Sequence, residues 1–364
     1  MSLGCGEHQA FIVARGGTEI LGQLDTLIVV QWNRKRDAIS DAFVTIGSHG
    51  TCCDWLGEVR VAMHELHLYR DGVKVWEGPV TRIEFTEDEV NIFAEDILWV
   101  PKMNVLSVAY SNAHPNVGAA GARMLWLLKE QTFAKYGDPW NMVPRLHRVT
   151  GSDEPMTAKA VKAYSCTTFE DFDKFAEDSG MDYTVVGRDV YFWDTHLRWR
   201  SLSPLYEDYL QEEPAVVEYG NQFATRVIVT NGNGVAAIAT AEPEKIAKWG
   251  YVDQVVSTWN DADGASEPTA EDLLAWQERA EHMLDETSEP PNRVRVSENT
   301  GLTQESPYSI NDLIPGSWVT VSVTRLCRNL EEWHKLDSVQ VREENGKETV
   351  QISTITAPSK MVEP

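Results

Sequence analysis

The chain has 364 residues, of which 42% are hydrophobic and 24% charged, the composition of an ordinary globular protein with a sizeable core. Its 32 basic and 56 acidic residues give a net charge of −24, which argues against nucleic-acid-binding surfaces and against binding to anionic membranes. The length predicts two or three domains, and no apolar run approaches the ~20 residues that span a bilayer.

Two features of the sequence bear on whether the chain is secreted, and both argue against it. The first residues, MSLGCGEHQAFIVARGG, lack a basic segment and a long apolar segment, so they do not have the pattern of a signal peptide. The five cysteines follow no regular framework, which favours reduced thiols in a protein that is made in a cytoplasm.

The first third of the chain has the apolar alternation that is typical of β-strands. Residues 27–32 are apolar on both faces, and residues 42–46 predict a second strand that ends at Gly47. The segment 65–96 then predicts a meander that forms one wall of a barrel or sandwich.

Two dipeptides shape this meander. Asp71-Gly72 predicts a hairpin turn of the favoured two-residue type. Gly78-Pro79 interrupts the return strand, which indicates a bulge or an edge position. In the first strand of the meander, alternation predicts that one face carries Leu66 and Leu68 and the other carries Glu65, His67 and Tyr69.

The middle of the chain changes to a helical period. Residues 118–136 are rich in Ala, Leu, Met and Lys and predict a helix that ends at 137–139. Residues 167–170 form a capping box at the start of a short helix that Gly180 ends. A hairpin is predicted next, over residues 183–193.

The last third is predicted to be β again. Residues 223–240 predict a long hairpin around the turn 231–234. A helix at 269–286 has a single apolar stripe, and the linkers on both sides make it an insertion into a β domain. Further strands are predicted at 294–296, 318–324, 338–341 and 349–355.

Five residues have side chains that suit zinc, namely His49, Cys52, Cys53, His64 and His67. Their spacing does not suit it, because His64 and His67 lie three apart in a predicted strand and point to opposite faces. The adjacent cysteines also diverge in an extended chain, and the sequence has no C-x-x-C pair. We therefore predict no metal site, and we interpret these residues as buried thiols and surface histidines.

Other chemistries have weak sequence support. Asp261–Gly264 resembles the start of a calcium loop, but Ser266 and Asp272 stand where that loop requires Gly and Glu, so a solvated linker is the better interpretation. The carboxylate pairs Glu212-Glu213 and Glu343-Glu344 are interpreted as charged surface. No G-x-S-x-G elbow, P-loop or G-x-G-x-x-G occurs, although a triad assembled from distant residues remains open. We predict no enzyme, no catalytic residue and no cofactor.

Several short motifs resemble a known group of proteins. Cys52–Leu56, Tyr69–Gly72, Val75–Val80 and Ala94–Asp96 resemble the N-terminal part of minor tail proteins of long-tailed phages that infect actinobacteria. In the last third the chain resembles the same group and the wider family of phage baseplate hub proteins, in the segments Ala224–Val227, Trp249–Tyr251 and Asp312–Val319. The motifs are short, but their order and spacing agree over most of the chain.

This resemblance implies a structural protein at the tip of a phage tail. It implies a mainly β fold with two antiparallel β-barrel domains of the tail-hub type, at 1–115 and at 216–364, around a mixed α+β middle domain at 116–215. The second barrel would carry the helical insertion at about 265–288. The turn and bulge residues of the barrels would be Gly72, Gly78, Pro79, Pro315 and Gly316.

The resemblance also implies an assembly and its partners. Three copies would form a homotrimeric ring of pseudo-sixfold symmetry around the DNA channel, at the tail tip of the virion. The ring would contact a distal tail protein or tail tube ring, the tape-measure protein, and downstream spike or fibre proteins. A stand-alone carbohydrate- or receptor-binding β module is the alternative, and a hydrolase is a third possibility.

The charge of −24 has two interpretations in such a ring. Carboxylates that face the channel would repel phosphates and let DNA slide past without being held. Alternatively, the acidity keeps the outer surface soluble. The candidates for the inner wall are Glu77, Glu84 and the charged turn Thr86–Glu89.

Overall fold

A computed structural model describes residues 3–48, 53–109, 120–133, 144–148, 161–218, 223–230, 235–257, 270–287, 292–324 and 329–357. The strands in chain order are β1 (His8–Ala14), β2 (Ile20–Leu24), β3 (Leu27–Lys35), β4 (Asp41–Gly47), β5 (His64–Arg70), β6 (Val73–Phe85), β7 (Glu89–Glu95), β8 (Arg145–Arg148), β9 (Met181–Val186), β10 (Asp189–Asp194), β11 (Leu205–Tyr206), β12 (Ala215–Glu218), β13 (Arg226–Thr230), β14 (Ala236–Thr240), β15 (Asp253–Ser257), β16 (Asn292–Arg295), β17 (Thr300–Gly301), β18 (Trp318–Val323), β19 (Leu330–Glu344) and β20 (Lys347–Thr356).

The helices are short and few in comparison with the strands. They are α1 (Cys53–Leu56), α2 (Trp99–Met103), α3 (Ala120–Leu128), α4 (Thr168–Asp178), α5 (Pro243–Trp249) and α6 (Ala270–Thr287), with a π-helical turn at Lys129–Phe133 and a 3-10 turn at Glu207–Tyr209. The prediction of a mainly β chain is therefore confirmed. None of the described helices is long and apolar enough to cross a membrane.

The chain forms two compact units. The first consists of Met1–Pro214, Val296–Thr324 and Glu331–Pro364, and the second of Ala215–Arg295 with Arg325–Leu330. In the first unit a twelve-stranded sheet has the order β11-β18-β19-β3-β4-β7-β6-β5-β1-β2, with β20 paired to β19 and β17.

The two ends of the chain share this sheet. The residues from Ser338 to Glu344 of β19 pair antiparallel with those from Lys35 to Val29 of β3. The division into three domains at 115 and 215 stays a prediction. The pairing of β3 with β19 joins the predicted first and third domains in one sheet.

The meander predicted at 65–96 is present as β5, β6 and β7, which are sheet neighbours. The two-residue turn is confirmed, because β5 ends at Arg70 and β6 begins at Val73. Asp71 and Gly72 both have positive φ, at 51° and 76°, which is the geometry that matches the twist of a hairpin. A second turn of this kind joins β19 to β20 at Asn345-Gly346.

The prediction that Gly78-Pro79 interrupts the return strand is wrong, because β6 runs through both residues. Register shifts lie on either side of this dipeptide. One is opposite the step from Leu68 to Tyr69, and the other is between Val80 and Arg82. A Cβ atom on Gly78 would overlap the backbone oxygen of Glu95. Glycine is therefore needed here because β6 passes too close to β7 for any side chain.

The middle segment packs α3 and α4 against the hairpin β9–β10, beside which β8 lies parallel to β10. The capping box is confirmed, since Thr167 Oγ1 accepts from the Glu170 amide at 3.1 Å and the Glu170 carboxylate accepts from the Thr167 amide at 2.7 Å. Phe172 and Phe175 of α4 are buried against the hairpin. The predicted helix at 118–136 is observed as α3 and the π-helical turn, and its predicted end at 137–139 lies outside the described residues.

The second unit has a three-stranded sheet in the order β14-β13-β15 and the separate pair β12–β16. Val227 and Val229 of β13 pack with Ala280 and Leu284 of α6, so the predicted apolar stripe of this helix covers one face of the sheet. The predicted hairpin pairs as β13 with β14, while its turn at 231–234 lies outside the described residues. The helix α5, which has proline in its first turn, was not predicted from the sequence.

Candidate functional site

A buried polar cluster lies where β5 and β6 meet the turn between β9 and β10. His67 Nε2 lies 3.0 Å from Glu65 Oε2 and 3.3 Å from Glu77 Oε2. Arg188, in the turn, donates a hydrogen bond of 2.6 Å to Glu65 Oε2, and its Nε lies 3.6 Å from Glu77 Oε2. The side chains of Glu65, His67 and Glu77 are all buried.

Strand geometry places these groups together. Glu65 and His67 are two residues apart on β5 and share a face, and Glu77 is the direct cross-strand partner of His67 on β6. The predicted alternation of β5 is confirmed, but its polar face is covered. His67 is only 5% exposed, so its interpretation as a surface histidine is wrong.

The carboxylates of the cluster are held by several donors. The Gly16 amide donates to Glu65 Oε1 at 2.9 Å, and Lys74 Nζ donates to Glu77 Oε2 at 2.7 Å. Burial raises the pKa of Glu65, but the hydrogen bond from His67 and the charge of Arg188 lower it by more, and the resulting pKa lies below the usual range. Glu65 is therefore ionised at neutral pH.

Glu65, His67 and Glu77 have the donor types of a metal site, and their ligand atoms lie within 4.8 Å of one another. Two cations already hold these carboxylates, because Arg188 bonds to Glu65 and Lys74 bonds to Glu77. A divalent ion would add charge to a cluster that is already balanced. The donor set therefore fits an ion-pair anchor between the β9–β10 turn and the large sheet better than a metal site, and the absence of a metal stays a prediction.

The residues first considered for zinc are not brought together in the described part of the chain. His49, Cys52 and the side chain of Cys53 lie outside it. The ring of His64 accepts a hydrogen bond of 2.9 Å from the Arg60 amide, and His67 belongs to the polar cluster. Cys5 and Cys166 are free thiols.

The other carboxylates that the sequence singled out have different positions. The calcium-loop candidate at 261–264, Ser266 and the side chain of Asp272 lie outside the described residues. Glu212 and Glu213 are exposed, as the surface interpretation requires. Glu343 instead bonds to the buried His8 ring at 2.7 Å, and Glu344 pairs with Arg342 at 2.9 Å.

An open groove of about 920 Å³ lies on the outer face of the large sheet, over β4, β7 and β6. Phe43 and Phe93 are cross-strand partners whose rings stack at 5.0 Å, and they form its aromatic floor. The guanidinium of Arg82 lies 3.8 Å above the Phe93 ring. Met103, at the end of α2, stands on the rim and is 61% exposed.

The charges around this groove, which we call the aromatic groove, are nearly balanced. Asp41 bonds to Lys35 at 2.6 Å, and Glu95 bonds to Lys102 at 2.8 Å. Arg82 Nε lies 3.4 Å from Glu84 Oε1. Each of the three cations therefore has a carboxylate partner, and the groove carries no net charge.

The candidates for a channel wall differ in exposure. Glu77 is buried in the polar cluster, so it cannot face a channel, and that part of the interpretation is wrong. Glu84 and the residues 86–88 are exposed.

The tryptophans bear on the alternative of a carbohydrate-binding module. Of the 13 tryptophans, Trp140 and Trp259 lie outside the described residues, and the other eleven are all buried or half-buried. Sugar-binding platforms present aromatic faces to solvent, so the described part of the chain has no exposed tryptophan platform of that kind.

Comparisons with known proteins identify the fold. No protein-family model matches the chain, and no curated protein matches it. The crystal structure of the 43 kDa tail protein of prophage MuSo2 from Shewanella oneidensis matches with a TM-score of 0.56 and 13% identity, over 96% of this chain and 98% of that chain.

Two further solved structures agree with this match. The tail protein from Neisseria meningitidis MC58 has a TM-score of 0.57 and 10% identity, over 98% of this chain and 99% of that chain. Prophage tail protein gp18 from Listeria monocytogenes EGD-e has a TM-score of 0.52 and 12% identity, over 95% and 94%. The chain therefore has the fold of these phage tail proteins.

Proposed function

We propose that the chain is a structural component of a phage tail. The observation that carries this proposal is the extent of the structural match, which covers 96–98% of this chain and 98–99% of two tail proteins. A shared single domain would match part of each protein. A match from end to end indicates that the whole architecture serves the same kind of role.

We further propose the finer role that the sequence motifs imply, the homotrimeric hub of the tail tip of a long-tailed phage of actinobacteria. In this role the chain has two barrel domains, contacts the tail tube or a distal tail protein and the tape-measure protein, and holds spike or fibre proteins. The burial of the described tryptophans supports packing and assembly over sugar binding. Catalysis has no part in this role.

The inner surface of the proposed ring is net negative and poor in Lys and Arg, which lets DNA pass without phosphate contacts. The net charge of −24 supports this. The repulsion acts only near the wall, because salt screens it over about 8–10 Å. A ring structure whose channel is lined mainly by basic residues would contradict it.

The test uses tails of the phage that encodes the chain. Mass spectrometry of purified tails is expected to detect the chain, and cryo-electron microscopy is expected to show three copies in one ring at the tip. Detection elsewhere in the tail, or a ring of six copies, contradicts the hub. Absence of the chain from purified tails contradicts the tail role itself.

A further inference from the structure

A second group of charges joins the end of β3 to β9 and β19. The Arg36 guanidinium contacts three carboxylates, those of Asp37, of Asp182 at 2.9 Å and of Asp337 at 3.1 Å. Lys335 Nζ donates to the same Asp182 carboxylate at 2.7 Å. We call these five residues the charged junction. In it two cations serve three carboxylates, and Arg36 is shared by all three.

Asp37 connects β3 to β9 through its backbone and its side chain together. The Asp37 amide donates to the Tyr183 carbonyl at 2.9 Å, and the Tyr183 amide donates to Asp37 Oδ1 at 2.8 Å. Asp37 has φ of 52°, a left-handed conformation that only a few residue types adopt readily. The carboxyl group of Asp37 is therefore part of the connection that holds the β9–β10 hairpin at the end of β3.

An open cavity of about 480 Å³ lies beside this connection. Its lining includes the carboxyl groups of Asp37, Asp182, Asp173 and Glu177, and none of its described lining residues is Lys or Arg. The hydroxyl of Tyr183 donates to Asp173 at 2.6 Å. Asp37 thus stands between the two cations of the junction on one side and an acidic cavity wall on the other.

The charges of the junction balance only when one carboxyl group carries a proton. Lys335 Nζ bonds to Asp182 and to both oxygens of Thr195, so all three of its hydrogens are used, as in an ammonium. Burial and the neighbouring Asp182 raise the pKa of Asp37 to about 6, although Arg36, the Tyr183 amide and Lys335 lower it. With a proton on Asp37, two cations face two carboxylates. Without it, one buried anion is in excess.

We propose that the charged junction is a proton-dependent latch, which holds the β9–β10 hairpin to the end of β3 while Asp37 is protonated and loosens when Asp37 ionises. Ionised Asp37 is repelled by Asp182 and by the acidic wall of the cavity, and opening of the contact brings its carboxylate into water. The latch is a property of the single chain and does not depend on the proposed tail role. It gives the fold a local conformational response between about pH 5 and pH 7.

The sign and the size of this response follow from linkage. A carboxyl group has a pKa of about 4 in the open, hydrated state and a higher pKa in the closed state, so protons favour the closed state. The opening equilibrium therefore rises up to about tenfold between pH 5 and pH 7.5. The Asp37 side chain is 33% exposed, so water screens part of the effect, and we expect at least about a threefold rise.

Hydrogen exchange measured by mass spectrometry on the full-length chain tests the latch. After correction for the intrinsic pH dependence of exchange, we expect the amides of residues 181–186 to open at least about threefold more at pH 7.5 than at pH 5. The amides of residues 347–352 are the internal reference, since β20 lies outside the junction, and we expect no change there. Equal opening of residues 181–186 at the two pH values overturns the proposal.

Two matched variants assign the response to one carboxyl group. Asp37→Asn keeps an acceptor for the Tyr183 amide, tolerates the left-handed backbone and cannot titrate, so we expect it to fold and to lose the pH dependence of residues 181–186. Asp96→Asn is the control, because Asp96 is a buried carboxyl group that also acts on Tyr183 but has no bond to Arg36 or Lys335 among those described. We expect this variant to keep the pH dependence. Retention in Asp37→Asn, or loss in Asp96→Asn alone, overturns the latch.

Discussion

His67 and Glu77 lie directly opposite each other on β5 and β6, with 3.3 Å between His67 Nε2 and Glu77 Oε2. Arg188 reaches the same place from the turn between β9 and β10, more than a hundred residues further along the chain. The cluster thus ties the middle segment to the large sheet through charges that are largely removed from water. Such a tie stabilises only while every charge in it keeps its partner.

We expect Arg188→Ala to lower the free energy of unfolding by about 3 kcal/mol, because it leaves the buried carboxylate of Glu65 without its cation. Urea denaturation followed by tryptophan fluorescence measures this. Arg342→Ala is the matched control, since its pair with Glu344 is exposed and should cost less than about 1 kcal/mol. Equal losses of unfolding free energy in the two variants would show that the cluster does not anchor the middle segment to the large sheet.

The polar cluster also shows which features of the fold can be predicted from the sequence and which cannot. The turn at Asp71-Gly72 and the capping box at Thr167 were predictable, because each depends on residues a few positions apart. Counting back from that turn without a bulge would pair His67 with Trp76. The bulge at Val75 of β6, opposite the step from Leu68 to Tyr69, shifts the register by one and brings Glu77 opposite His67.

Contacts between residues that are far apart in the sequence could not be predicted either. Alternation predicted that Glu65 and His67 share a face, but their burial depends on Arg188 and Gly16. The pairing of β19 with β3 likewise joins strands about three hundred residues apart. No local pattern reports such pairings, because tertiary packing decides them.

We predict that the purified chain holds no zinc. Arg188 and Lys74 already neutralise the carboxylates of the only group of possible ligands among the described residues. Elemental analysis after dialysis measures the metal content. One zinc per chain would contradict the prediction, and two variants would locate it. If His67→Ala loses the zinc, the ion is bound in the polar cluster. If the double variant His49→Ala and Cys52→Ala loses it, the ion is bound by the zinc candidates of the sequence.

Stability is expected to fall as the pH rises from about 4 to 7. Burial raises the pKa of Asp96 to about 7, against the opposing hydrogen bonds from the Ser40 and Leu98 amides. Burial and the neighbouring Asp182 raise the pKa of Asp37 to about 6. Each carboxyl is protonated in the folded chain at a pH where it is ionised in the unfolded chain, so its stabilising contribution is complete at low pH and is lost as the pH rises to the folded pKa.

Denaturation midpoints at pH 5, 6, 7 and 8 measure this dependence. Asp96→Asn cannot titrate, so we expect a smaller difference between pH 5 and pH 7 in this variant, whatever its absolute stability. A variant with the same pH dependence as the original chain would exclude Asp96 as the source.

Gly78→Ala is expected to destabilise the chain by at least about 2 kcal/mol or to prevent folding, because its Cβ would overlap the Glu95 backbone oxygen. Gly72→Ala is the control. Gly72 has φ of 76° but no atom within 4 Å of the added Cβ, so it should cost only the strain of a left-handed residue, about 1 kcal/mol. A Gly78→Ala chain as stable as the control would mean that β6 can move away from β7.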